Sequence, residues 1–419
     1  MNYFNSNYFT YKNNELYCEG ISLEDILRET GTPAYVYSQN YFIDRYKELD
    51  SAFNEIDHNI FYAVKSNFNL SVIKTFSDIG GGVDVNSEGE LLRALKVGVS
   101  NDKIIFSGVG KTYDEIKIAL EHDLLMIKAE SEEELVLINE IATILNKKAR
   151  VGIRVNPDVD PKTHPYISTG LAENKFGVDV TTAIKLYTEK DRFKNIDYTG
   201  IDMHIGSQIT TVEPFVSAVE KLSEIFLSLK KQGIKLKHFD IGGGIGVEYH
   251  HERTFSPSEF AKALIPILKK LDCKVILEPG RYLSANAGIL IAQVLYTKVN
   301  HKKNFIIIDA AMNDLLRPSI YGAYHHIQPV RINKSCKDIS ADIVGPVCES
   351  GDFLAKDRNI QECKRGDFLS VMSAGAYGST MASNYNARRR PPEILVNGSS
   401  FKVIKKRESF EHLFFEEYL

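Results

Sequence analysis

One rhythm constrains this chain more than any other feature. From Ile60 to Gly280, short runs of β-branched and apolar residues alternate with segments whose apolar residues recur at helical spacing. The runs are residues 61–65, 82–85, 104–107, 125–128, 151–155, 200–204, 239–241 and 275–278. Between them lie patterns such as Glu88, Leu91, Leu92, Leu95 and Val219, Leu222, Ile225, Phe226. A strand apolar on both faces must be covered on both, and alternating helices supply the cover, so these segments read as parallel β/α units. Eight such units predict a TIM-type (β/α)8 barrel, a fold of about 250 residues. The competing arrangement is an open doubly wound sheet.

After Gly280 the rhythm changes. Runs at 305–308, 343–347 and 368–371 are separated by Gly, Pro, Asn and Asp turns with little helical periodicity. This predicts a mainly antiparallel C-terminal β domain. The strand-like residues 34–37, after Pro33, are expected to complete it. A length of 419 residues exceeds what one core usually holds, so two domains are expected. Their limits are 38–281 for the barrel and 1–37 plus 282–419 for the β domain. The basic run Arg388–Arg390, before Pro391 and Pro392, reads as a solvated turn.

Charge narrows the choice of partner. Acidic residues exceed basic ones, 55 to 51, for a formal net charge of -4. That balance argues against nucleic acid or an anionic membrane surface and favours a small-molecule ligand. No run of about 18 apolar residues is present, and residues 1–11 lack a basic and an apolar region, so a cytoplasmic protein without membrane contact is expected. The five cysteines (Cys18, Cys273, Cys336, Cys348, Cys363) are scattered, without CxxC spacing. Reduced thiols are expected, with neither a disulfide framework nor a metal site.

In a barrel, chemistry sits where strands end and βα loops converge. Those ends carry Lys65, Asp84, Ser107, Lys128, Arg154, His204, Gly242–Gly244 and Glu278. Lys65 is either a snorkelling lysine or, desolvated in a barrel mouth, an amine able to form a Schiff base. Gly242, Gly243, Gly244 and Gly246 either make a simple turn or offer bare N–H groups to a phosphate. No Walker lysine or GxGxxG accompanies them, so a nucleotide site is poorly supported. Glu278 can cap a helix, pair with Arg281, or hold a ring nitrogen protonated. His204 is either structural or a flat ring stacked on a ligand, with Ser207 reaching toward its phosphate.

Taken in order, YAVKSN, HIGSQ, the GGG run and EPGR resemble the fold-type III pyridoxal-phosphate (PLP) decarboxylases, the alanine-racemase-like barrel family. STGLAENKFG (168–177), NDLLRPSIYGAYH (313–325), GPVCESGD (345–352) and GAYGSTMASNYNARRRPPE (375–393) extend the resemblance over nearly the whole chain. It implies a PLP cofactor on Lys65, bound with Asp84, His204, Ser207, Gly243, Gly244, Glu278, Gly280, Arg281 and Tyr377. It further implies that Arg281, Arg317, Tyr321, Glu349 and Tyr377 contact an amino-acid substrate and that Cys348 is the acid of catalysis. The CES loop reaches the second subunit in this family, so a homodimer is implied.

The implied reaction is decarboxylation of meso-2,6-diaminopimelate to L-lysine, the last step of lysine biosynthesis. That substrate has a carboxylate and an ammonium at each end. Arg317, joined by Arg281, and Glu349 supply the matching cation and anion. Ornithine, arginine and carboxynorspermidine have different distal ends, so Arg317, Tyr321 and Glu349 count against those sister decarboxylases. A non-catalytic PLP-binding relative would not need Lys65, Cys348 and Glu278 together, and an alanine racemase would favour a neutral or cationic partner for the ring nitrogen over Glu278. Two departures stand out: Ser66 where many relatives carry alanine, and basic Lys128 in MIKA. Neither touches a residue given a role above.

Overall fold

The computed structural model describes residues 3–160, 169–170, 174–189 and 191–418. Eight parallel strands close into a barrel: His58–Ala63, Gly82–Val85, Ile104–Phe106, Met126–Ala129, Ala149–Arg154, Ile196–Asp202, His238–Asp240 and Lys274–Leu277. The last pairs with the first, Leu277 opposite Ile60, which closes the ring. Helices start where the sequence offers a cap. Ser87, Ser131 and Asp179 accept backbone N–H groups at helix N-termini, and Thr112 with Glu115 and Ser256 with Glu259 form capping boxes.

The barrel interior is filled by side chains, including Phe61, Ile105, Met126 and Ile276. Met126 occupies a place that two neighbours vacate. A Cβ built on Gly152 or Gly200 would lie 2.6 or 2.7 Å from its Sδ, so both positions must remain glycine for the thioether to fit.

The strands differ from the expected runs mostly at their ends. The first stops at Ala63, and Lys65 rides on a one-turn 3-10 helix, Val64–Ser66. The sixth begins at Ile196 and ends at Asp202, so His204 lies in the loop beyond it. In each case the loop bends the backbone out of the ladder and frees the polar side chain from the strand's in–out alternation.

By contact, the chain divides into two units: 43–247 with 253–282, which holds the barrel, and 1–42 with 248–252 and 283–419. The second unit is built on a nine-stranded sheet. Ala34–Ser38 lies inside it, antiparallel to Gly288–Asn300 and parallel to Glu393–Asn397. The parallel pairing of Lys303–Ile308 with Asp338–Val344 is the other exception to an otherwise antiparallel sheet. Strand alternation divides its faces. Ala34, Val36, Ile289, Ile291, Ile394 and Val396 join one apolar core, whereas Tyr37 turns the other way and donates to Glu393 Oε2 at 2.9 Å.

The arginine run is not a solvated turn. Arg388 donates from Nε to Asn313 at 3.1 Å, Arg389 lies 4.2 Å over the Phe410 ring, and Arg390 bonds Glu408 at 2.5 Å. Each guanidinium found a partner distant in sequence, which charge counting could not show. All five cysteines are free thiols. No helix among the described residues is long and apolar enough to cross a membrane.

Candidate active site

The barrel mouth is dominated by a buried ion cluster. Lys128, in the fourth strand, bonds Asp202 Oδ1 at 2.9 Å and Asp240 Oδ2 at 2.7 Å, and also bonds Glu278 Oε1. The four side chains come from four strand ends and are at most 7% exposed. One ammonium therefore faces three carboxylates. Burial disfavours the Lys128 charge, but Asp202, Asp240, Glu278 and Asp84 outweigh it and hold its pKa well above the ordinary range. Burial, then Asp240 and Asp84, push Glu278 well up despite Lys128. Asp240 is pushed up to about 7 by burial and Asp202, against Lys128. These are the responses expected when like charges share a site without water.

Lys65 stands in a separate setting. Its 3-10 turn is pinned by Ser66, whose hydroxyl donates to Ala63 O at 2.9 Å and contacts Tyr62 Oη at 3.0 Å. Ser66, set aside in the sequence as remote from any role, thus shapes the turn that carries the lysine. Nearby Glu90 accepts the Asn86 N–H at 2.7 Å, and burial raises its pKa to about 7 against the pull of that bond and of Lys65. Asp84 accepts the Ser107 hydroxyl at 2.5 Å.

His204 is held neutral. Burial, followed by the charges of Lys65, Arg154 and Lys128, drives its pKa well below normal. Its Nδ1 accepts the Gly243 N–H at 3.2 Å, which leaves the ring proton on Nε2. The glycine run is therefore more committed than a free anion cradle. Gly242 N–H donates to Asp240 Oδ1 at 2.8 Å, and Gly243 N–H to His204. Gly244 N–H donates to no acceptor among the described residues. Gly242 and Gly244 have φ of +68° and +108°, and a Cβ on Gly243 would strike the Glu278 carbonyl, so these glycines are required by the backbone itself. Arg281 Nη2 donates to Ser207 Oγ at 3.0 Å. In this arrangement Arg281 serves Ser207, while Lys128 serves Glu278.

The second unit holds the remaining expected residues. Arg317 is buried, 4.8 Å over the Tyr249 ring, with Nη1 donating to His325 Nε2 at 2.8 Å. His325 Nδ1 donates in turn to Met372 O at 2.9 Å, which fixes the tautomer. Half-buried Tyr321 ends the same short helix, Arg317–Tyr321. Cys348 is exposed. Its N–H donates to Asn386 Oδ1 at 2.9 Å, and Glu349 accepts the Tyr385 hydroxyl at 2.7 Å. Asp352 shapes this loop by accepting the N–H groups of Met312 and Val347, each at 2.7 Å. Tyr377 has φ of +55°, a strained backbone for a bulky residue.

Lys128 touches Glu278 directly, so it is not a remote departure. Asp202 and Asp240 escaped notice, although a carboxylate closing an apolar strand (GID, HFD) was a signal available to find them. Of the STGLAENKFG motif, residues 168 and 171–173 lie outside the described residues; Thr169 donates to His204 O at 2.8 Å and Gly177 N–H to Glu130 at 3.0 Å.

An amine on a turn, a carboxylate with one oxygen taken by Lys128, and phosphate donors at Gly244, Ser207 and Arg281 suit a cofactor bearing an aldehyde, a basic ring nitrogen and a phosphate. Pyridoxal phosphate has those three groups, so the donor set fits it. The class agrees: residues 40–285 match the family described as pyridoxal-dependent decarboxylase, pyridoxal binding domain. The diaminopimelate decarboxylase of Aquifex aeolicus is 49% identical, over 97% of this chain and 96% of its own. The solved structure of the Helicobacter pylori diaminopimelate decarboxylase complexed with L-lysine has a TM-score of 0.91 at 42% identity, covering 94% of this chain and 98% of that one. The M. jannaschii diaminopimelate decarboxylase, also in complex with L-lysine, gives 0.93 at 35% identity, covering 98% of each. The chain belongs to the diaminopimelate decarboxylase family.

Proposed function

We propose that this chain decarboxylates meso-2,6-diaminopimelate to L-lysine and carbon dioxide, the last step of lysine biosynthesis in the cytoplasm, with PLP carried on Lys65. The observation that carries this reading is the 49% identity to the Aquifex aeolicus enzyme across 97% of the chain.

Gly244, Ser207, Arg281 and Tyr377 would hold the cofactor's phosphate end, Gly243 and Gly280 would line the pocket beside it, and Asp84 would support its ring pocket. Glu278 would accept a hydrogen bond from the protonated ring nitrogen, and neutral His204 would offer its ring face to the cofactor. When bound, PLP supplies an electron-withdrawing ring that accepts the pair released as carbon dioxide leaves. Arg317, Arg281, Tyr321, Glu349 and Tyr377 bind the substrate's charged groups. A distal ammonium and carboxylate that find an anion and a cation are retained, whereas a tail lacking either leaves a buried charge unpaired. Cys348 Sγ–H then gives its proton to the carbon that has lost carbon dioxide, and solvent restores the thiol.

The protein acts as a homodimer, with the Cys348 loop delivered to the second chain's site. Exposure of Cys348, Glu349 and Ser350 in the single chain supports that assignment. The test is a substrate panel: holoenzyme with meso-diaminopimelate, ornithine, arginine or carboxynorspermidine, measuring carbon dioxide and the amine formed. Lysine from diaminopimelate alone is expected. Carbon dioxide from one of the others, with none from diaminopimelate, overturns the assignment.

A further inference from the structure

Lys128 has no task in the reaction as set out, yet it is the cation around which the barrel mouth is arranged. Its ammonium is 1% exposed and bonds one carboxylate from each of three other strand ends. Its backbone is held as well: Lys111 Nζ donates to Lys128 O at 2.7 Å and pairs with buried Glu134 at 2.5 Å. An ammonium fixed at both ends in this way is built to stay.

We propose that Lys128 is a positioning residue that favours the ionised form of Glu278 and aims it, and so sets how tightly the barrel holds PLP by its ring nitrogen. The inference rests on the reading that Glu278 faces that nitrogen. Oxygens of Asp202, Asp240 and Glu278 lie within 4.8 Å of one another. Without a cation, three buried carboxylates so close cannot all be ionised, and they would share protons. Lys128 places one positive charge in bonding contact with all three. It takes Glu278 through Oε1, leaving Oε2 for a second cationic donor. A carboxylate bridging two cations keeps its charge, whereas a protonated Glu278 would offer a ring N–H only a neutral acceptor and would bind it more weakly.

The groups acting on Glu278 are Asp240, Asp84 and Asp202, which oppose its charge, and Lys128, which favours it. Neutral His204 adds no charge, and Arg281 is engaged by Ser207. Removing Lys128 therefore raises the pH at which Glu278 becomes a carboxylate. Removing Asp240 lowers it. Two opposite shifts from one cluster distinguish electrostatics from packing.

The test is equilibrium binding of PLP to apoprotein across the pH range, read by absorbance of the bound cofactor, with circular dichroism to establish folding. For K128M the acid limb of binding moves up by about one pH unit or more, a loss of about tenfold in affinity on that limb. For D240N the limb moves down, and K128M/D240N, which removes one charge of each sign, returns most of the way to wild type. If K128M does not fold, D240N against K128M/D240N carries the same comparison. An unmoved limb in D240N, or wild-type binding by K128M, overturns the inference. Wild-type protein that binds no PLP overturns the cofactor reading first, and this inference with it.

Discussion

Asp240 offers the sharpest test of the site's electrostatics, because its surroundings oppose the charge it carries. In the unfolded chain its carboxyl titrates near 3.8; in the barrel, burial and Asp202 push it to about 7 against Lys128. The folded state therefore holds the proton more tightly than the unfolded state. Stability is full below the unfolded pKa, falls as pH rises through the interval up to the folded pKa, and stays reduced above it. At about 1.4 kcal/mol for each tenfold in proton affinity, the gap corresponds to about 4 kcal/mol. D240N removes that dependence. An asparagine keeps the oxygen that accepts the Gly242 N–H, a bond of 2.8 Å, and gives up one of three carboxylate contacts to Lys128. The lost charged contact costs about 1.5–3 kcal/mol, so a net gain of about 1–3 kcal/mol is expected at alkaline pH. Urea denaturation of apoprotein at about pH 5 and about pH 8 measures both limits. D240N should be the more stable protein at the higher pH and lose that advantage at the lower one. Parallel stability profiles for the two proteins would refute the assignment of this burden to Asp240.

Other changes separate chemistry from structure. C348A should retain bound PLP while carbon dioxide release falls by about 10²–10⁴-fold, the usual contribution of a positioned acid; unchanged turnover removes Cys348 from the mechanism. R317K exchanges a planar guanidinium, stacked on Tyr249 and bonded to His325, for a point charge, and should raise KM for diaminopimelate by about tenfold or more in steady-state assays. K111M leaves Glu134 buried without its 2.5 Å partner and should cost about 3–5 kcal/mol in denaturation experiments.

Much of the fold is written locally. A strand covered on both faces must be apolar throughout, and a helix packed on one side must repeat every three to four residues, so eight such alternations announce a barrel before any contact is known. Caps such as Thr112 with Glu115 mark helix starts within four residues of sequence. The class was legible for a related reason: Lys65, the HIGSQ and GGG loops and EPGR are compact runs, each confined to one βα loop. The Lys128 cluster was not legible, because its partners stand 74 and 150 residues away along the chain at Asp202 and Glu278.

What the amino-acid order determined by itself, then, is the barrel, the β unit that recruits Ala34–Ser38, and the decarboxylase class. Only the tertiary structure decided the charge of the site. It turned the Gly242 and Gly243 N–H groups inward to Asp240 and His204, bound each arginine of the 388–390 run, and set one lysine among three carboxylates. The reason is physical: periodicity reports which face of an element is buried, but an ionisable group's state depends on every charge within a few ångströms, and barrel closure selects those neighbours.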